Sequence, residues 1–189
     1  QKINDYGILV DTDLMRSAIL MDEAFKAELS NEVRRNQGIN NLKSMPELKK
    51  YILDKTGLTV ESLNKKSMDD VIAAIENSDS VSDEDKRDVL TVLDARKEIG
   101  KTSNAKYTAM QNSLGRGDRI RGLFRYYGAS RTGRWAGRLV QLQNLPQNHI
   151  DDLDTARDTV KTRDLNWFKM MYEKPTHIMS QLIRTTFIA

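Results

Sequence analysis

Seven arginines fall within residues 116–138: Arg116, Arg119, Arg121, Arg125, Arg131, Arg134 and Arg138. The stretch has no lysine and one acid, Asp118. Elsewhere the charges nearly cancel. Residues 1–115 hold 17 basic against 20 acidic side chains, and residues 139–189 hold six of each. The positive charge is therefore concentrated, and its carrier is Arg alone. A guanidinium stays charged and presents a planar fork of donors suited to phosphates and base edges. Phe124, Tyr126, Tyr127 and Trp135 are interleaved with it. A merely solvated face would read as mixed Lys and Glu. This mixture of Arg, aromatic and Gly reads as a nucleic-acid contact.

The chemistry is densest in Gly128-Ala129-Ser130-Arg131-Thr132-Gly133-Arg134-Trp135-Ala136-Gly137-Arg138, followed by Leu139-Val140-Gln141-Leu142-Gln143-Asn144-Leu145-Pro146. Gly128, Gly133 and Gly137 permit close approach of backbone to a large ligand. Arg131, Arg134 and Arg138 offer donors, and the amides of Gln143 and Asn144 both donate and accept. Donors suit the minor groove, where every base pair shows an acceptor irrespective of sequence.

Other constellations are weaker. Asp11-Thr12-Asp13 could begin a metal-nuclease pair, but two acids at a helix start read as caps. Arg116-Gly117-Asp118 spells an integrin tripeptide by coincidence. His149 and His177 lack a second ligand at helical spacing. Asp151-Asp152-x-Asp154 lacks the glycine and terminal glutamate of a calcium loop and reads as a helix start. The sequence has no Gly-rich phosphate loop and no Ser–His–Asp signature.

The elements around this stretch are helical. Leu14, Ala18, Met21, Phe25 and Leu29 recur every three to four residues after Asp11 and Asp13. Ser44-Met45-Pro46-Glu47 is a capping box, and Gly57 ends its helix. Ser67 with Asp70, and Ser82 with Asp85, predict two further starts. A helical stretch through Lys106, Tyr107, Met110 and Leu114 follows. Residues 121–128 are aromatic and β-prone, and 138–142 mirror them, predicting one short antiparallel ribbon. Helices resume near Asp151 and break at Lys174-Pro175. The expected fold is mainly α: a helical lobe, a ribbon, then C-terminal helices.

The chain has 189 residues, 39% hydrophobic and 30% charged, enough for a sizeable core. The absence of Cys excludes disulfides, thiolate metal sites and a cysteine nucleophile. No bilayer-length apolar run or secretion signal is present, so no membrane partner and a cytoplasmic setting are expected. The chain opens at Gln1 without Met and closes on apolar Thr186-Phe187-Ile188-Ala189, which reads as a piece of a longer protein.

Thr132-Gly133-Arg134 followed by Leu142-Gln143-Asn144-Leu145-Pro146 resembles the first conserved motif of family A, Pol I-like, DNA polymerases. With Tyr127-Gly128-Ala129 ahead and Trp135-Ala136-Gly137-Arg138 inside, the match is most similar to the bacteriophage and prophage branch. Lys101-Thr102-Ser103-Asn104-Ala105-Lys106-Tyr107 resembles the family's thumb–palm junction. Ile178-x-x-Gln181-Leu182-Ile183-Arg184-Thr185-x-Phe187-Ile188 resembles the lead-in to the catalytic motif A strand. The resemblance implies a thumb-like region over 1–115 and the start of a palm over 116–189. It implies a DNA-contact set of Lys106, Tyr107, Arg131, Thr132, Arg134, Arg138, Gln143 and Asn144. For the parent it implies primer–template DNA and a deoxynucleoside triphosphate as partners, with nucleotidyl transfer in a bacterial host cell. The Mg²⁺ ligands would lie outside these residues, leaving this piece inactive alone. The alternative reading is a non-catalytic nucleic-acid-binding module.

Overall fold

The computed structural model describes residues 2–101 and 104–188. Thr102 and Ser103 of the Lys101–Tyr107 segment, with Gln1 and Ala189, lie outside the described residues. In chain order the elements begin with α1 (Lys2–Tyr6), β1 (Ile8–Val10), α2 (Thr12–Gln37) and α3 (Met45–Thr56). Next come α4 (Lys65–Glu76), α5 (Asp83–Ile99), α6 (Ala105–Ser113), β2 (Leu114–Gly115) and β3 (Arg119–Ile120). β4 (Phe124–Ala129) and β5 (Arg134–Gly137) precede α7 (Leu153–Thr162), α8 (Leu165–Met171), α9 (Pro175–Leu182) and β6 (Phe187–Ile188). The fold is mainly helical with small antiparallel sheets, as the periodicity predicts. Two compact units emerge: residues 25–101, and residues 1–24 together with 102–189.

The unit 25–101 contains the end of α2 with α3, α4 and α5. Val33, Leu48, Ile52, Ile75, Val89, Val92 and Leu93 form its dry centre. Ser44 caps α3 by accepting the Glu47 N–H, and Gly57 closes the helix at φ +71°. The Glu47 carboxylate does not return to Ser44. It accepts the N–H groups of Asn40 and Asn41 at 2.6 and 3.2 Å, fastening the preceding loop. Ser82 caps α5 as expected, accepting from the Asp85 N–H. The start expected at Ser67 is wrong by one turn. Asn64 is the cap, its side-chain oxygen taking both the Lys66 and Ser67 N–H groups. A side chain already placed to satisfy two orphan donors leaves Ser67 inside the first turn.

The other unit is built on a four-stranded antiparallel sheet of order β2-β3-β1-β6. Its strands are two or three residues long, too short for alternation to declare them, so a single expected ribbon becomes two sheets. Leu14, Met15, Ala18, Met21, Tyr107, Met110, Ile120, Phe168, Met179 and Leu182 form its core.

Asp11 secures the start of α2. One carboxylate oxygen accepts the Leu14 N–H at 3.0 Å. The other accepts from Arg157 at 2.8 Å and Lys161 at 2.9 Å, both on α7. Burial is the largest single effect on this carboxyl and acts to raise its pKa. The Leu14 N–H, Lys161 and Arg157 together outweigh it, so the pKa lies below the ordinary value of 3.8. A depressed folded-state pKa gives stability that is present above the unfolded value and lost as pH falls through the folded one. Asp11→Asn is expected to cost about 1–3 kcal/mol at pH 7. The gap from wild type should close on acidification below about pH 4. Urea unfolding at pH 7 and pH 2.5 checks this; a gap undiminished at pH 2.5 contradicts it.

Candidate nucleic-acid interface

β4 and β5 form a bulged hairpin that carries the motif. Phe124 pairs with Gly137, Arg125 with Ala136 and Ala129 with Arg134. Between the last two pairs, Tyr126, Tyr127 and Gly128 oppose Trp135 alone. This bulge puts Tyr127 at φ +52° and brings Tyr126 edge-on to Trp135, with ring centroids 5.2 Å apart. At the tip the Thr132 and Gly133 N–H groups donate to the Ala129 carbonyl. Gly133 has φ +64°, and a Cβ there would sit 2.9 Å from the Tyr127 ring. Glycine is required on both counts.

Strand alternation sorts the faces. Arg125, Ala129, Arg134 and Ala136 share one face. Gly128 joins them, since a Cβ on it would fall 2.5 Å from that of Ala136. Two arginines thus flank a floor of small residues, open to a broad ligand. Trp135 and Gly137 belong to the opposite face, where the Gln143 amide lies so close to Gly137 that any Cβ would overlap it.

The expected second strand at 138–142 is corrected to Arg134–Gly137. Leu139 and Gln141 adopt φ of +56° and +55°, which ends strand geometry. Val140 is buried instead, and its carbonyl accepts from Lys106 at 2.8 Å. Residues Leu142–Asn144 form a 3-10 turn, and Arg184 donates to the Leu145 carbonyl at 3.0 Å.

The seven arginines divide by role. Arg119 donates to the Gly7 carbonyl at 3.1 Å and lies over the Tyr6 ring at 4.2 Å. Arg121 donates to the carbonyls of Asp5 and Arg116 at 3.1 and 2.9 Å. These two fasten α1 to the sheet. Arg116, Arg125, Arg131, Arg134 and Arg138 are exposed, and none makes a side-chain hydrogen bond or ion pair among the described residues. Asp118, the one nearby acid in sequence, forms no ion pair with Arg134 among them. Its carbonyl accepts from the Val10 N–H at 2.9 Å. Five solvated guanidinium groups therefore point nowhere within the protein, as a surface for an anion requires.

The remaining expected contacts are placed unevenly. Thr132 is exposed beside Arg131 at the tip, and Gln143 and Asn144 are exposed on the 3-10 turn. The Asn144 amide donates to the Gln141 side chain at 3.0 Å. Packing against Gly137 puts the Gln143 amide on the face opposite Arg134. Lys106 is half-buried and engaged with Val140. Tyr107 has no exposed surface, and its hydroxyl donates to the Met179 carbonyl at 2.7 Å. Burial pushes that hydroxyl's pKa far up, with a Thr186 hydrogen bond acting weakly against it. Tyr107 is a fully buried core residue on α6, the helix that carries Lys106.

Asn4 was not legible as part of this region. Its amide donates to the Phe124 carbonyl at 2.6 Å and its carbonyl oxygen accepts the Phe124 N–H at 3.0 Å. It thereby acts as a one-residue strand partner at the root of the hairpin, aided by its own backbone carbonyl on the Gly122 N–H. The 120 residues between them leave no local signal.

Among the described residues no group of three or more His, Asp or Glu side chains could hold a metal ion. No helix among them is long and apolar enough to cross a membrane.

The chain thus presents a basic, exposed, bulged hairpin on a mainly helical scaffold. Over 188 residues, all of its length, the chain is 45% identical to a DNA polymerase of Bacillus phage SP02. It spans 28% of that protein and is homologous to that part of it. No family model and no solved structure matches the chain.

Proposed function

We propose that the chain is the thumb and the first part of the palm of a phage-type, family A, template-directed DNA polymerase. Residues 1–115 are the thumb-like region, with 25–101 as its compact helical part, and 116–189 begin the palm. Its task is to grip primer–template duplex and position the primer terminus while the parent transfers a nucleotidyl group from a deoxynucleoside triphosphate. The observation that carries this reading is the set of exposed arginines without a side-chain partner among the described residues: Arg125, Arg131, Arg134 and Arg138 on and just after the hairpin, with Arg116 on the β2–β3 turn. Likeness to a phage DNA polymerase across the whole chain supports it.

Arg134 and Arg125 reach duplex from the small-residue face, where Gly128, Ala129 and Ala136 let the backbone approach. Arg131 and Thr132 contact phosphates from the tip. Arg138, Gln143, Asn144 and Lys106 line the exit of the hairpin, and Tyr107 acts only by positioning. These residues bind and orient DNA, and no chemical step is assigned to them. Hydrogen–deuterium exchange of the full chain with a blunt duplex tests this. Slowed exchange at 124–144 is expected; protection confined to other segments would contradict it.

A further inference from the structure

The three aromatic rings of the hairpin are not used in the duplex grip proposed above. Tyr126, Tyr127 and Trp135 are 72%, 60% and 55% exposed. They form one cluster, with Tyr126 edge-on to Trp135 at 5.2 Å and Tyr127 tilted against Tyr126 at 6.4 Å. The bulge creates it: three residues opposite one bring Tyr126 against Trp135 and tilt Tyr127 against Tyr126. Large aromatic rings left in water at a rigid, strained turn are costly unless something covers them. Their surroundings select the occupant. Arg131, at the tip of the same hairpin, has no side-chain partner among the described residues, and no acid lies between Arg119 and Gln147 in the sequence. An acidic or neutral protein partner would explain the charge or the rings singly. A strand with flat apolar bases and a phosphate backbone explains both.

We propose that this aromatic face is a stacking platform for unpaired nucleotides of a single strand. The hairpin thereby separates two forms of nucleic acid: duplex on the arginine face, unpaired bases on the aromatic face. The inference rests on the DNA-gripping reading and adds a second ligand form to it. Base–aromatic stacking tolerates any sequence, since every base has a π-face. The rings supply affinity while Arg131 at the tip meets the phosphates.

Trp135 reports on its own contact. The chain has two tryptophans, Trp135 and Trp167, and Trp167→Phe leaves the first as sole emitter. This full-length variant is titrated with a dT 20-mer and, separately, with a blunt 20-base-pair duplex. Strong quenching of Trp135 by the dT 20-mer and weak quenching by the duplex are expected. In the wild-type background, Trp135→Leu should weaken dT binding about tenfold and Trp135→Phe should retain most of it, because Phe still stacks. Both should leave duplex binding within about twofold. Trp135 emission that stays constant while dT saturates the protein would overturn the proposal and spare the duplex reading. Equal loss of dT and duplex binding in Trp135→Leu would also overturn it. Binding of neither DNA would sink both readings together.

Discussion

Arg134→Ala in the intact parent polymerase should lower nucleotide incorporation about ten- to hundredfold while leaving thermal stability nearly unchanged. On the proposed function, the rate effect would follow from losing a charge-assisted hydrogen bond to the primer terminus, about 1.5–3 kcal/mol, made stronger in the transition state than in the ground state. The unchanged stability follows from the structure. Arg134 is exposed, without a partner among the described residues, so the folded state loses no contact that the mutation could remove. Substitutions of that kind shift stability by less than about 0.5 kcal/mol. Arg134→Lys should recover only part of the rate, since an ammonium offers a point charge where the guanidinium offers a fork. If the bond is to a minor-groove acceptor of the terminal pair, the penalty should also shrink at mismatched termini, where that acceptor is displaced. A variant that melts several degrees lower but polymerises normally per folded molecule would make Arg134 structural.

Tyr107 is expected to show the reverse pattern. Tyr107→Ala should destabilise the unit of residues 1–24 and 102–189 by about 3–5 kcal/mol, as for other large aromatic truncations in a closed core. Tyr107→Phe keeps the ring and loses only the bond to the Met179 carbonyl, leaving that acceptor unsatisfied at about 1–3 kcal/mol. DNA affinity per folded molecule should stay within about twofold in Tyr107→Phe. Denaturant titration followed by duplex binding on the same preparations separates the effects. Loss of binding in Tyr107→Phe at full stability would return Tyr107 to the contact set.

The contrast between the two residues shows what the sequence could and could not convey. Arg134 was legible because Arg amid Gly and aromatics has few structural uses, and the surface position is what the structure shows. Tyr107 stood beside Lys106 in a segment that resembled a DNA-contact motif, yet helical phase turned its ring into the core. The helices were legible through caps such as Ser44 and Ser82. At α4 the sequence offers two caps, Asn64 and Ser67 with Asp70, and nothing local decides between them; the structure uses Asn64. The four-stranded sheet had no local signature, since strands of two or three residues are made by distant pairings such as Leu9 with Ile188. The hairpin's first strand was legible from its aromatic run. Its second lies at Arg134–Gly137 because Leu139 and Gln141 have positive φ, which ends strand geometry after Gly137. Non-glycine residues give no warning of that conformation.

Salt-dependent binding of the full chain to a primer–template duplex tests the central claim most directly. If unpaired arginines grip the phosphate backbone, log K should fall linearly with log salt, and replacing both Arg125 and Arg134 by alanine should reduce the slope by about 2. Affinity should hardly depend on base sequence, because phosphate and minor-groove acceptor contacts are common to all pairs. Binding whose affinity stays flat across the salt series, or a double variant with the wild-type slope, would contradict the assignment of this hairpin as the DNA grip.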